Sequence, residues 1–310
     1  MVKIYTPRRL RERNRWLRSD GKPNFKSRVH EAPGRLDPLI VRETPTASET
    51  TPVLSICEDM HRSGRRMVPI LSPKREVAGV LTGMDIIDFL GGGKRHEVLI
   101  KRGEHSLFKA LEVRASEIMT KDPVVVDSDM KLAEVLEEMI KYGVGAVPVV
   151  KKGVFEGLLT ESEIMRVLAG KPIGVKVRDV MTYEVITISP ESTLEDLMKL
   201  MVGTGIRRVP VVKGEELVGV ISWRDIIKLV GGHEVFKVVK SGTVDELKSI
   251  PVSTIVREKF LTVTEGIDIG EAAEMMKEWG VGHALVVEDG RLKGILTERD
   301  IIYGIVVGGG

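Results

Sequence analysis

Cysteine is almost absent from this chain, which contains Cys57 as its single copy. One cysteine cannot form an internal disulfide, and it cannot supply a cysteine-based zinc site. Aromatic residues are also scarce at 4%, although apolar residues of all kinds reach 42%. We therefore expect cores built from Val, Ile, Leu and Met, with Cys57 as a buried thiol.

Long apolar runs are missing as well. No segment of the sequence approaches the roughly 20 apolar residues that span a bilayer, and the arginine-rich start lacks the apolar region of a secretory signal. We expect a soluble, cytoplasmic protein with no membrane partner. Glutamine is absent, asparagine occurs only as Asn14 and Asn24, and charged residues make up 30% of the chain. Few thermolabile amides together with many charges are typical of a thermophile.

One short phrase occurs four times. Each copy begins with glycine, continues through two apolar residues to Ser or Thr, and places an acidic residue three positions after that hydroxyl. The copies are Gly79–Asp85, Gly157–Glu163, Gly219–Asp225 and Gly294–Asp300. A phrase that recurs in this way indicates an array of similar units, so function has to be sought in each unit.

Other positions recur in register before each phrase. A hydrophobic run precedes every copy, and a methionine and then a glycine precede that run. The methionines are Met60, Met139, Met201 and Met276, and the glycines are Gly64, Gly143, Gly205 and Gly280. Because glycine suits the left-handed residue that ends a helix, each unit is predicted to fold as strand, helix, strand, strand, helix.

The units are themselves paired. The link between the first two copies has the same length as that between the last two, since His96 and Ser116 correspond to His233 and Ser253. This predicts a basic N-terminal extension at 1–35, module 1 at 36–170 with repeats at about 38–92 and 115–170, and module 2 at 171–310 with repeats at about 177–232 and 253–308. We refer to these repeats as one to four.

The four concordant copies resemble the cystathionine-β-synthase (CBS) domain family, whose paired repeats are called Bateman modules. The resemblance implies an α/β (α+β) fold of two Bateman modules in a disc-like assembly. It also implies an adenosine nucleotide (AMP, ADP or ATP), or a ligand similar to S-adenosylmethionine, in the clefts between paired repeats. Chains with four repeats are similar to stand-alone archaeal CBS proteins and to the gamma subunit of AMP-activated protein kinase. A homodimer or a regulated partner protein is therefore expected.

The repeated phrase has two interpretations. A hydroxyl followed three residues later by a carboxylate forms a capping box at a helix start. The same groups can hold a phosphate and a ribose diol, as the resembled family does. Because a capping box prefers the longer Glu, the Asp copies favour ligand contact. The nucleotide-binding residues predicted in this way are Thr82, Asp85, Ser222, Asp225, Thr297 and Asp300, with Thr160 and Glu163 as weaker ones.

Two further columns, each a set of corresponding positions in the four repeats, are also predicted to contact the nucleotide. Positions before the central strands carry phosphate-binding Arg and His in the kinase gamma subunit, and here they hold Arg66, Arg207, Arg208 and His283. The alternative is that these are solvated edge charges. A position in the first strand of a repeat, where the family contacts the nucleoside, holds Thr46, Thr187 and Thr262.

Repeat two departs from the pattern in all three columns. It has Val125 in the threonine column, Ala146 in the cation column and Glu163 as its acid. The coincidence predicts a degenerate site in repeat two, which should be empty or the weakest of the four.

The N-terminal extension is strongly basic. Residues 1–35 contain eleven Lys or Arg and three acidic residues, a net charge of +8, which leaves −6 for the rest of the chain. Such asymmetry is typical of a segment that binds nucleic acid, and Tyr5, Trp16 and Phe25 can stack on bases. The alternative is a short helix that docks on an acidic face of this chain or of a second copy.

Enzymatic function is the weakest hypothesis. The sequence shows no Ser/His/Asp or Cys/His set and no Walker loop, and the clusters Gly91–Gly93 and Gly231–Gly232 follow predicted helices instead of opening them. The sequence therefore favours a non-enzymatic regulatory protein that binds an adenosine nucleotide. A nucleic-acid-associated protein that uses residues 1–35 is the alternative.

Deletion of residues 1–35 tests that alternative. If the segment contacts five or more phosphates, the logarithm of duplex-DNA affinity should fall with the logarithm of salt concentration with a slope of about −0.9 per phosphate. The truncated protein should lose this salt dependence in filter-binding titrations. Full-length protein that binds neither RNA nor DNA would show that the segment is a docking element.

Overall fold

The computed structural model describes residues 36–308. Both hypotheses for residues 1–35, a nucleic-acid contact and a docking element, lie outside the described residues. Each of the four repeats has an antiparallel two-stranded hairpin at its centre, formed by the hydrophobic run and the strand that leads into the repeated phrase. In residues 36–308 the strands are β1 Met67–Leu71, β2 Val77–Thr82, β3 Thr120–Lys121, β4 Val126–Asp127, β5 Ala146–Lys151, β6 Val154–Thr160, β7 Arg208–Lys213, β8 Glu216–Ser222, β9 Thr262–Val263, β10 His283–Glu288 and β11 Arg291–Thr297.

Helices flank every hairpin. The α-helices of the described part are α1 Val53–Ser63, α2 Gly83–Ile87, α3 Glu97–Arg102, α4 Leu107–Leu111, α5 Ala115–Ile118, α6 Leu132–Tyr142, α7 Glu161–Leu168, α8 Val177–Val180, α9 Leu194–Thr204, α10 Trp223–Gly231, α11 Val235–Val238, α12 Val244–Ser249, α13 Ile269–Glu278 and α14 Glu298–Gly308. A π turn, Asp88–Gly92, extends α2, and single 3₁₀ turns lie at Asp37–Leu39, Lys94–His96 and Val252–Thr254.

Helix α1 shows why the predicted pattern holds. Its buried residues Val53, Ile56, Cys57 and Met60 follow the helical spacing that places one apolar stripe against a core. Cys57 is buried, as expected, and this burial raises the pKa of its thiol. The glycines predicted to end a helix in each repeat all take a left-handed backbone, with φ between 63° and 73° at Gly64, Gly143, Gly205 and Gly280.

Paired repeats exchange their opening segments. Thr120, at the start of repeat two, pairs with Val80 in the hairpin of repeat one, and Val41 of repeat one pairs with Leu158 of repeat two. Module 2 repeats the arrangement, because Arg257 bridges to Val220 and Thr182 bridges to Ile295. A cleft in one repeat is therefore lined by the opening segment of the other repeat in its module.

The two modules pack through helices of both repeats. One buried cluster combines Ile56 and Ile87 of repeat one with Met201 and Ile226 of repeat three. At the other end, Met165 of repeat two is buried among residues of repeat four. Helix packing on both sides of the molecule is the arrangement that a disc requires; the disc-like assembly itself stays a prediction.

The modules approach each other closely where α1 and α10 cross. A Cβ atom added at Gly231 would lie 2.2 Å from the backbone oxygen of Cys57 and 2.5 Å from its carbonyl carbon. Because these obstacles are backbone atoms, they cannot move aside as the tip of a side chain can. Glycine at this position therefore sets the distance between repeats one and three.

Gly231→Ala should lower the free energy of unfolding by about 1–3 kcal/mol, since overpacking forces the two helices apart. The matched control is Gly203→Ala in α9, where nothing lies within 4 Å of the added Cβ. That control should be neutral or stabilising by up to about 1 kcal/mol, because alanine is the better helix former. Urea denaturation of both variants measures the difference, and equal stabilities would contradict the proposed close packing.

Candidate functional site

In all three Asp copies the carboxylate binds back to the residue that begins the helix, and in two copies the hydroxyl also accepts from the acid's own N–H, at 3.2 Å for Thr82 and 3.4 Å for Thr297. One carboxylate oxygen of Asp85 accepts from both the backbone N–H and the hydroxyl of Thr82, at 2.7 Å each. Asp225 and Ser222 make the same pair of bonds at 2.7 Å, and the bonds from Thr297 to Asp300 are 2.9 Å long. Asp therefore reaches the backbone N–H at the helix start, so the preference of capping boxes for Glu does not by itself favour ligand contact here. The capping interpretation is correct for these copies, and a ligand role has to come from the rest of the carboxylate.

The second oxygen of two of these carboxylates faces a guanidinium group. Arg95 Nη2 lies 2.7 Å from Asp85 Oδ1, and Arg257 Nε lies 2.8 Å from Asp225 Oδ1. Burial raises the pKa of both carboxyl groups, while the charges of Arg95 and Arg257 oppose the increase. Arg95 and Arg257 lie outside the repeated columns, so the sequence analysis missed them.

Repeat two differs at its helix start. Glu163 accepts a very short hydrogen bond from the Thr160 hydroxyl, and its other oxygen pairs with Arg65 Nη1 at 2.9 Å. Ser162 N–H donates to Thr160 Oγ1 at 3.2 Å. The longer acid thus turns from the cap towards an arginine of repeat one.

Because the opening segments are exchanged, each residue of the threonine column is grouped with the helix start of the other repeat in its module. Val125, five residues after Thr120, lies with the cleft of Thr82 and Asp85. By the same register, Thr46 belongs with Thr160 and Glu163, Thr262 with Ser222 and Asp225, and Thr187 with Thr297 and Asp300. The three threonines are exposed.

Because of this regrouping, the three deviations of repeat two do not lie in one site. Val125 and Ala146 both line the cleft of Asp85 in repeat one, whereas Glu163 belongs to the cleft that Thr46 faces. The deviations of repeat two are therefore divided between two clefts, and they cannot be counted as the loss of one. The prediction that the Glu163 cleft is weakest rests on Glu163 alone.

Four helix starts meet where the repeats converge. The residue directly after each hydroxyl is Gly83, Glu161, Trp223 or Glu298. A Cβ atom at Gly83 would lie 2.4 Å from the ring of Trp223, so the two starts in repeats one and three touch. Ser162 Oγ donates to Glu298 Oε1 at 2.5 Å and joins repeats two and four. We call this region the central junction.

Three arginines surround Glu161 at the central junction. Arg66 Nη1 lies 3.0 Å and Arg207 Nη2 lies 3.3 Å from Glu161 Oε2, and Arg299 Nε donates to Oε1 at 2.7 Å. Burial opposes ionisation of Glu161, but the charges of Arg299, Arg66 and Arg207 outweigh it and hold its pKa well below the usual range. Burial lowers the pKa of Arg207 to about 9, so that arginine is still protonated at neutral pH.

The remaining predicted cations lie beside this cluster. Arg208 Nη2 is 3.5 Å from Glu298 Oε2. His283 is buried, and burial together with the charge of Arg208 lowers its pKa well below the usual value, so its imidazole is neutral at pH 7. Neither residue is a solvated edge charge, and the same is true of Arg66 and Arg207, which are largely buried.

A cavity of about 680 Å³ connects the Asp85 helix start with the central junction. One part of its wall is formed by Thr82, Asp85 and Thr120. Apolar residues form another part, and these are Met67, Val80, Pro123, Val124, Val125, Val144 and Ala146. Arg66, Arg207 and Arg299 form the cationic part, and Trp223 lies near them. The cavity thus combines a carboxylate, an apolar wall and three guanidinium groups drawn from three repeats.

One nitrogen in this wall has no partner. Arg66 Nη2 is buried and makes no hydrogen bond to any residue of the part that the structure describes. A buried donor without a partner costs about 1–3 kcal/mol, so it marks a place where an acceptor from a ligand would be stabilised. Within residues 36–308, no group of three or more His, Cys, Asp or Glu is placed to hold a metal ion. No helix in that range is long and apolar enough to cross a bilayer.

The four repeats match a known domain. The sequence profile of the CBS domain matches residues 37–92, 115–170, 177–232 and 252–307, which is most of the chain. The chain belongs to the CBS-domain family. The match confirms the resemblance seen in the repeated phrase, and it agrees with the mixed helix and strand content of the fold.

Two relatives cover most of this CBS-domain chain. It is 35% identical over 277 residues to an uncharacterised 33.4 kDa protein in a ribosomal RNA operon of Thermofilum pendens, with 89% of this chain and 91% of the relative covered. It is 30% identical over 261 residues to the Methanocaldococcus jannaschii protein MJ1225, with 83% and 93% covered. The crystal structure of MJ1225, described as a proposed archaeal homologue of γ-AMPK, matches with a TM-score of 0.80 at 29% identity and covers 86% of this chain and 98% of that one.

Sequence reasoning missed Glu161, Glu298 and Arg299 in these CBS repeats. All three lie in the two positions that follow the hydroxyl, where the four copies differ most. Arginine does occur at the second position of both repeats in module 2, as Arg224 and Arg299. That recurrence was the available sign of a cationic role.

The capping role of Asp225 can be measured against Asp196, an exposed residue of a capping box that does not line the described cavity. Asp196 accepts from the N–H of Thr193 at 3.0 Å and from its hydroxyl at 2.7 Å. Asp196→Ala should lower the free energy of unfolding by about 0.5–2 kcal/mol, as loss of a cap does. Asp225→Ala should cost more, because it also leaves Arg257 without its carboxylate partner. Equal losses in chemical denaturation would show that the Arg257 pair adds nothing to stability.

Proposed function

We propose that this CBS-domain protein is a non-enzymatic regulator that binds an adenosine ligand, either AMP, ADP or ATP or a molecule similar to S-adenosylmethionine. The observation that carries the proposal is the cavity between the Asp85 helix start and the central junction. Its volume of about 680 Å³ falls within the roughly 300–1,000 Å³ of small-molecule sites.

The lining residues suit the three parts of a nucleotide. Asp85 Oδ1, which now faces Arg95 and the Thr120 hydroxyl, can accept a hydrogen bond from a ribose hydroxyl. The apolar wall of Val80, Val124 and Ala146 suits a flat base, since most of a ligand's buried surface contacts apolar side chains.

The cationic part of the cavity suits the phosphate. Arg66 Nη2 offers an unused donor, and guanidinium groups bind phosphate oxygens in a bidentate manner. Arg207 and Arg299 lie beside it. A ligand of this kind would supply the acceptor that Arg66 Nη2 lacks.

Two further clefts repeat part of this arrangement. Ser222 and Asp225 face the segment of Thr262, and Thr297 and Asp300 face the segment of Thr187. We propose that these clefts also bind ligand, and that the cleft of Thr160 and Glu163 is the weakest because Glu163 is paired with Arg65.

Regulation would follow from the shared lining of the cavity. Asp85 belongs to module 1, whereas Arg207, Trp223 and Arg299 belong to module 2. A ligand that contacts both modules stabilises their present arrangement, and it shifts the population by its difference in affinity for the alternatives. The similarity to MJ1225, described as a proposed homologue of γ-AMPK, supports a role in which a partner protein responds to that arrangement.

Calorimetry and thermal shift with adenosine, AMP, ADP, ATP and S-adenosylmethionine test the proposal. At least one of them should bind, and at about 100 times its Kd it should stabilise the protein by about 2.7 kcal/mol. Asp85→Ala should weaken one binding step by roughly 10- to 150-fold, because a hydrogen bond to a charged group contributes about 1.5–3 kcal/mol.

Asp196→Ala is the control, since it removes a capping carboxylate that lines no part of the cavity. It should lower stability and leave every affinity unchanged. If none of the five ligands binds the wild-type protein, the proposed function is wrong. If Asp85→Ala lowers stability but no affinity, the phrase acts only as a cap.

A further inference from the structure

Glu161 is a carboxylate in the place where a nucleotide-binding cavity needs positive charge. Its side chain is only 6% exposed and contacts Arg66, Arg207 and Arg299. These are the three arginines of the cavity wall. Any phosphate that approaches them therefore also approaches Glu161.

The carboxylate has room beside the backbone because residue 145 is a glycine. A Cβ atom at Gly145 would lie 2.3 Å from Glu161 Oε2 and 2.9 Å from Arg66 Nη2. Any larger residue at position 145 would displace the Glu161 carboxylate from Arg66. Gly145 itself lines the cavity, so the Glu161 pair lies directly behind the cavity wall.

Within the cluster of Glu161 and its arginines the charges do not cancel, although Asp85, Asp122 and Glu138 also line the cavity. Three guanidinium groups face one carboxylate, which leaves a formal surplus of two positive charges. Glu298 is the other acid of the central junction. It forms an ion pair with Arg208 and accepts a hydrogen bond from the Ser162 hydroxyl. Its carboxylate is 4.0 Å from Arg66. The surplus of this cluster and the unused Arg66 Nη2 are the features of the wall that favour an anion.

We propose that Glu161 limits how much negative charge this cavity accepts, so that it selects adenosine monophosphate over the diphosphate and triphosphate. This inference rests on the proposed function. A phosphate monoester carries about −1.5 to −2 at pH 7. Each further phosphate adds negative charge, and it must compete with Glu161 for guanidinium groups that Glu161 already holds.

A purely structural role for Glu161 makes a different prediction. A buried carboxylate that joins Arg66, Arg207 and Arg299 would then affect folding stability, and its removal would change all affinities alike. Selectivity separates the two roles, because only a charge that faces the phosphates changes the ratio of the affinities for AMP and ATP.

The test is isothermal titration of wild-type protein and Glu161→Gln with AMP, ADP and ATP, in EDTA so that magnesium does not neutralise the phosphates. The binding step that Asp85→Ala weakens identifies the cavity. The wild-type protein should bind AMP at least about tenfold more tightly than ATP there. Glu161→Gln should shift that ratio towards ATP on the order of 10- to 100-fold, as expected for removal of a unit charge a few ångströms from the added phosphates.

Glu298→Gln is the matched control, since it neutralises a buried carboxylate at the same position of another repeat. It should change the ratio much less than Glu161→Gln does. An unchanged ratio in Glu161→Gln overturns the inference while AMP binding upholds the proposed function. Wild-type protein that binds ATP as tightly as AMP in this cavity overturns the inference even if the variant does not fold, and absence of all binding overturns both.

Discussion

The buried contact between Glu161 and its three arginines is the interaction on which the central junction depends. Arg66, Arg207 and Arg299 come from repeats one, three and four, and Glu161 comes from repeat two. Like charges this close would repel strongly in a buried environment if no carboxylate stood between them. One side chain therefore allows four repeats to bring their helix starts together, and the cavity exists because they do.

The repeat architecture was readable from the sequence because it is a local property. Periodicity placed the helices and strands, and glycine at a fixed offset placed the helix ends, as the left-handed backbone of Gly143 and Gly205 shows. The capping boxes were equally predictable, since they join residues three positions apart. The expectation that a capping box prefers Glu to Asp does not hold here, because the Asp85 carboxylate accepts from the Thr82 amide.

Spatial grouping was not readable in the same way. Periodicity predicts that a strand forms, but it does not predict which helix start of the paired repeat lies beside it, and Val125 lies with Asp85 of repeat one although the neighbouring strand β4 pairs within repeat two. The exchange of opening segments follows from long-range pairs such as Thr120 with Val80, which leave no local pattern. The same holds for the central junction. Glu161 and Arg299 are 138 positions apart, and nothing near either residue in the sequence indicates the other.

Burial changes what the cationic columns mean. A solvated arginine contributes little to binding, because water screens it, whereas Arg66 and Arg207 have most of their surface removed from water and share one carboxylate. Their desolvation has already taken place on folding, so an anion that enters meets preorganised donors. The same burial makes an uncompensated positive charge on these arginines unfavourable. Arg66 Nη2 adds to this cost because it is buried without a hydrogen-bond partner. Under the proposed function, a ligand that relieves this cost would stabilise contacts of both modules at once, because the cavity is lined by residues of both.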